Sequence, residues 1–155
     1  MRQFLGLGLA LGAMLVSGCV TTPPYRGGNF ANLTPDVLTA DERGYDTPQT
    51  MPLASGQVMA LRLHLEQAAY VYVFQRRGQV MDSVYETPSG SGPFGPGEVR
   101  IPNGDSYVRV PQLSPGNRLC VLLSAHPIEP HKRACPFQRQ HLNRHPPIQS
   151  FLLTP

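Results

Sequence analysis

Hydrophobic and polar positions alternate most cleanly over residues 58–66, where Met59, Leu61, Leu63 and Leu65 are separated by Ala60, Arg62, His64 and Glu66. A period of two puts one set on each face of a strand, so this segment predicts a strand with one face in a core. Residues 69–75 (AYVYVFQ) are dense in β-branched and aromatic side chains on both faces, the pattern of a central strand. A Gly-containing turn at 76–79 leads into 80–85 (VMDSVY), so 69–85 predicts a hairpin. The Gly/Pro/Ser stretch 87–97 predicts a loop on which only Phe94 is large, followed by a short strand at 98–101 that ends at Pro102-Asn103-Gly104. Further strands are expected at 106–110, at 118–124 behind the turn Ser114-Pro115-Gly116-Asn117, and at 150–153. Tyr72, Phe74, Leu61, Leu63, Val121 and Leu123 are the expected core.

The chain before residue 58 behaves differently. Residues 4–16 (FLGLGLALGAMLV) form a thirteen-residue apolar run, too short to span about 30 Å of hydrocarbon comfortably as a helix, and they follow the single positive charge of Arg2. That is the pattern of a signal peptide. Residues 20–57 contain five prolines and sustain neither a period of 2 nor one of 3.6. They are read as a tether, with at least 20–35 a flexible spacer, one short helical turn opening at Thr39-Ala40-Asp41-Glu42 and stopped by Gly44, and a docked arm allowed for 44–56. The expected fold is an all-β, small antiparallel Ig-like sandwich of six or seven strands over 56–155, with an irregular C-terminal extension, behind a signal peptide (1–18) and a flexible tether (19–55).

Composition narrows the classes further. Fifteen Gly and seventeen Pro oppose long helices, which sets aside coiled coils and helical bundles. The net charge of +3, from twelve Arg and one Lys against ten acids, is too small for a nucleic-acid footprint.

The residues Val16-Ser17-Gly18-Cys19 resemble the lipobox of bacterial lipoproteins: an aliphatic residue, two small residues that fit a peptidase groove, and a cysteine. The resemblance covers residues 1–19 and implies that the Cys19 thiol receives diacylglycerol, that cleavage precedes it, and that its freed amine is acylated as well. Each buried methylene contributes about 0.8 kcal/mol, so two or three acyl chains hold a protein on a membrane essentially permanently. Val20 stands where an Asp would mark inner-membrane retention, which implies an outer-membrane lipoprotein facing the periplasm or the cell surface.

A second resemblance covers about 56–128. Gly56-Gln57-Val58, the strand from Ala69 to Phe74, the Gly78 turn, Val99-Arg100-Ile101-Pro102 and Ser114-Pro115-Gly116 before 119–124 are similar to the domain of unknown function 4384 family. That family implies a β-sandwich interaction module attached to envelope proteins and brings no catalytic residues; the His- and Arg-rich chain after residue 128 departs from it.

With Cys19 assigned to lipid, Cys120 and Cys135 remain, an even pair in an oxidising compartment, and a disulfide between them is expected. The alternative is a metal site, because His126, His131, His141 and His145 surround Cys135 and the last two are four residues apart. Against it, no CxxC is present and Pro146-Pro147 truncates any helix at His145. Ser124 near His126, or Ser83 beside Asp82, lacks a third partner and a G-x-S-x-G elbow, so no enzyme, catalytic residue or cofactor is expected. Arg76, Arg77, Lys132, Arg133, Arg139 and Arg144 are candidate contacts for anionic lipid, lipopolysaccharide, peptidoglycan or a protein partner. Two function classes follow: a lipid-anchored structural or interaction module in an envelope assembly for secretion, motility or the cell wall, and a periplasmic ligand or metal binder using the His-rich tail.

Overall fold

The computed structural model describes residues 24–49, 56–77, 80–109, 118–129 and 147–153. Nine strands form among them and no helix: β1 (Asp36–Ala40), β2 (Asp46–Pro48), β3 (Val58–Leu65), β4 (Tyr70–Arg77), β5 (Val80–Glu86), β6 (Gly97–Ile101), β7 (Val108–Arg109), β8 (Arg118–Ser124) and β9 (Ile148–Leu153). They make two antiparallel sheets, one ordered β2-β1-β3-β6 with β7 also on β3, the other β5-β4-β8-β9. The chain is an all-β sandwich, as the alternation and turn spacing lead one to expect.

Period two decides what lies between the sheets. Met59, Leu61, Leu63 and Leu65 of β3 meet Val71 and Val73 of β4 and Leu119, Val121 and Leu123 of β8 in one buried cluster, joined by Val37, Ile101 and Leu153. β4 is central, hydrogen-bonded to β5 on one side and β8 on the other, and its hairpin with β5 carries a register shift between Val73 and Phe74. Thr87 closes that hairpin. Its backbone N–H and its Oγ1–H both donate to the Val71 carbonyl, and its Oγ1 accepts the Val71 N–H at 2.8 Å.

Four residues, Glu66 to Ala69, carry the chain from β3 to β4 and so from one sheet to the other, which gives the sandwich a common near end. Gathered there are residues 24–35 before β1, the 87–96 loop held by paired Ala69–Phe94 backbone bonds, and residues 125–129 after β8. The far end holds the β1–β2 turn, the start of β3, the end of β4, the start of β5 and residues 102–107.

The structure corrects several expectations. The sandwich does not begin at 56: β1 pairs with β3 (Val37↔Leu61) and β2 with β1, so 36–48 belongs to the first sheet. The turn of helix expected at 39–42 is instead the end of β1 and a tight turn in which Asp41 Oδ1 accepts the N–H groups of Arg43 and Tyr45. Gly44 has φ +83 there, which only a residue without Cβ adopts cheaply. The strand expected at 106–110 shrinks, among the described residues, to Val108–Arg109. Tyr72 and Phe74 are buried as expected, but on the outer face of the second sheet with Tyr70, Cys120, Leu122 and Ile128, not between the sheets.

Candidate functional site

The described part of the segment read as a spacer, residues 24–35, is bound to the near end. Its backbone is held by two glutamines. Gln67, in the β3–β4 turn, accepts the Arg26 N–H through Oε1 and donates through Nε2 to the carbonyls of Gly27 and Asn29, both at 3.0 Å. Gln149 of β9, 2% exposed, accepts the N–H groups of Phe30 at 2.7 Å and Ala31 at 3.0 Å, and donates to the Ala31 carbonyl at 2.7 Å. Glu66 N–H donates to the Phe30 carbonyl. The Phe30 ring lies wholly inside the core cluster and packs against Tyr25, with centroids 5.1 Å apart. Consecutive positive φ values at Gly27 and Gly28 turn the chain so that the Tyr25 hydroxyl donates to the Gly28 carbonyl at 2.7 Å.

Two grooves open beside this segment. One, of about 630 Å³, lies on the outer face of the first sheet and is lined by Leu33, Thr34, Asp36, Arg62, His64 and Glu98, with the Arg62 guanidinium paired to Asp36 at 3.0 Å. The other, of about 320 Å³, lies on the outer face of the second sheet between Tyr70, Tyr72, Glu86, Ser89, Ile128 and Glu129. Its aromatic floor continues from Tyr72 to Phe74, whose rings stack with centroids 6.4 Å apart, and the Tyr72 hydroxyl accepts the Ile128 N–H at 2.9 Å. Cys120 belongs to the same outer face and is disulfide-bonded.

A charged staple occupies the far end. Arg100 of β6 reaches back to Asp46 of β2 with Nε at 2.6 Å and Nη2 at 2.9 Å from the two carboxylate oxygens, while its Nη1 donates to the carbonyls of Pro102, Gly104 and Ser106. The Tyr107 hydroxyl donates to Asp46 at 2.7 Å, and the guanidinium lies over the Tyr107 ring. From β6 to β2 the staple crosses the outer face above β3 and β1, where Leu38 and Ala60 are buried. The hydrogen bonds from Arg100 and Tyr107 lower the Asp46 carboxyl from 3.8 to about 2. A carboxylate held below its unfolded value stabilises the fold above pH 3.8, and that contribution disappears as the pH falls toward 2. Asp46→Asn is therefore expected to flatten the acid limb of the stability curve between about pH 4 and 2, by about 1 kcal/mol because the pair is partly open to solvent. Denaturant titrations at stepped pH measure it; parallel curves for the two proteins would contradict it.

The residues singled out from sequence are scattered. Arg76 sits opposite Met81 of β5 and Arg118 of β8, and Arg77 opposite Val80, all at the far end. His126 is exposed at the near end; its backbone N–H, not its ring, faces Ser124 Oγ at 3.4 Å, and Ser124 is buried. The Ser83 hydroxyl donates to Glu86 rather than to Asp82. Among the described residues no three His, Cys, Asp or Glu side chains stand close enough to hold a metal ion. Cys19, Cys135, His131, His141, His145, Lys132, Arg133, Arg139 and Arg144 lie outside the described residues. The two glutamines and the Arg100 staple had no signal in the sequence, because each joins segments that are far apart along the chain.

The chain matches no family model, no curated protein sequence and no solved structure.

Proposed function

We propose that this protein is a lipid-anchored envelope protein, held by acyl chains on Cys19 in the outer membrane, whose sandwich serves as a structural or interaction module in a periplasm-facing assembly. The observation that carries the reading is the fastening of residues 25–31 by Gln67 and Gln149: the chain leading from the lipobox is built into the folded body, as a module that must transmit position from membrane to partner requires.

Cys19→Ser is expected to abolish palmitate incorporation and membrane fractionation, because no other thiol precedes the domain. Crosslinking of the native protein in intact cells is expected to recover a recurrent envelope protein. Unchanged labelling and fractionation of the variant would overturn the anchor, and crosslinks only between copies of this chain would overturn the heterologous assembly.

Cys135 is proposed as the partner of Cys120. The bond closes a loop of about sixteen residues and contributes about 3 kcal/mol by loop entropy. Reduction is expected to lower Tm by several degrees, and tryptic mapping without reductant to yield one crosslinked peptide holding both residues. A Cys19–Cys120 peptide would contradict both the pairing and the lipid.

A further inference from the structure

We propose that the near end of the sandwich, formed by residues 24–34, 66–69 and 86–96, is its membrane-facing surface and rests against the headgroups of the leaflet that holds the Cys19 acyl chains. The inference rests on the lipid-anchor reading above and adds an orientation to it.

The argument begins with reach. Four residues lie between Cys19 and Pro24, which makes five residue-to-residue steps, and a fully extended chain spans at most about 3.6 Å per step, so Pro24 lies within about 18 Å of the lipidated cysteine. Fixation starts almost at once, with Tyr25 packed on Phe30 and the Arg26 N–H on Gln67. An eight-residue strand such as β3 or β4 is about 26 Å long, more than the leash. The point where the leash enters the body is Gln67, in the turn that joins the two sheets at the near end. The body therefore cannot turn its far end to the lipid without tearing residues 25–31 from both glutamines.

Surface chemistry agrees with that placement. The loop 87–97 has no charged residue and is built of Ser, Gly, Pro, Thr and one Phe, so headgroups can approach it without desolvating ions. Leu33, 68% exposed, and Arg26 add an apolar contact and a cation suited to lipid phosphate. Both ends carry charge: the far end has Asp41, Glu42, Arg43, Asp105, Arg76 and Arg118 around the Arg100 staple, and at the near end Arg26, Glu66, Glu86 and Glu129 surround the uncharged loop. Arg76, at the far end, then lies away from the anchoring leaflet, which assigns it to a partner across the periplasmic space rather than to lipid beneath the domain.

The test uses the full lipidated protein in vesicles of phosphatidylethanolamine and phosphatidylglycerol. Fluorophores are placed singly at Thr34→Cys and Ser89→Cys on the near end, and at Arg43→Cys and Asn103→Cys on the far end. All four positions are exposed, and matching melting curves verify folding. Headgroup-region nitroxide lipids are expected to quench the near-end probes severalfold more than the far-end probes. Equal quenching in protein that floats with the vesicles describes a body that lies on its side or tumbles, and overturns the orientation while leaving the anchor intact. Protein that does not float overturns the anchor, and the orientation with it.

Discussion

Gln149→Leu is expected to destabilise the domain by about 3 kcal/mol, although the substitution preserves volume and makes the side chain more apolar. Two backbone donors, Phe30 N–H and Ala31 N–H, and one acceptor, the Ala31 carbonyl, are satisfied by this one amide. All three belong to residues with essentially no solvent exposure. Each buried polar group left unpaired costs about 1–3 kcal/mol. The chain can escape that cost only by withdrawing the segment, which forfeits burial of the Phe30 ring, itself worth about 1.5–3 kcal/mol. Both routes therefore end at a similar loss. Glu at this position fails too, because a carboxylate has no donor for the Ala31 carbonyl and brings a charge into the core. Chemical denaturation measures the loss, and amide exchange locates it, with protection falling first over residues 26–31. A change below 1 kcal/mol would show that the bracket is dispensable. In the lipidated protein the same variant lengthens the leash from Cys19, so unequal quenching of the two ends is expected to diminish with it.

What the sequence disclosed and what it concealed separate by the range of the forces involved. β3 was legible because its large apolar residues recur at every second position, and the β4–β5 hairpin and β8 because their runs of branched and aromatic residues are long and are set off by Gly-containing turns in the sequence. β1 escaped. Val37, Leu38 and Thr39 are all buried, since the core takes Val37 while Leu38 lies beneath the Arg100 staple, so no alternation survives. A short run of that kind, followed by acids and a Gly, reads equally well as one helical turn. Residues 24–33 escaped for a different reason. Their order comes from Gln67 and Gln149, in the second case across 118 and 119 positions, and a lone Gln in a strand carries no periodic or spacing signature. The lack of any period in the segment reflects that it supplies backbone groups rather than side chains to its contacts, Phe30 and Tyr25 excepted.

The same logic explains why β4 misled about its faces. Val71 and Val73 face the other sheet, whereas Tyr70, Tyr72 and Phe74 face outward and are nonetheless buried. Large aromatic residues look like the obvious core, yet two sheets about 10 Å apart are filled by branched aliphatic chains from both inner faces. The rings are left to the outer side, with Ile128 among the residues packed on them.

Leu63→Ala is expected to cost about 2–5 kcal/mol, and His64→Ala, one residue along the same strand, less than about 0.5 kcal/mol. Leu63 is 2% exposed, paired with Val99 across the β3–β6 ladder, and projects between the sheets toward the cluster that holds Val71, Val121 and Leu123. Truncation there removes the transfer energy of the buried carbons and leaves a cavity that two hydrogen-bonded sheets cannot collapse to fill. His64 faces the opposite way, exposed on the rim of the groove with Asp36 and Arg62, where an alanine leaves water in place of an imidazole. The contrast tests register directly, because a slip of one residue in β3 exchanges the two faces and reverses the order of the costs. Urea titrations of both variants decide it. A domain of this size has about 5–15 kcal/mol in total, so the Leu63 variant is expected to spend a measurable fraction of its time unfolded at 37 °C.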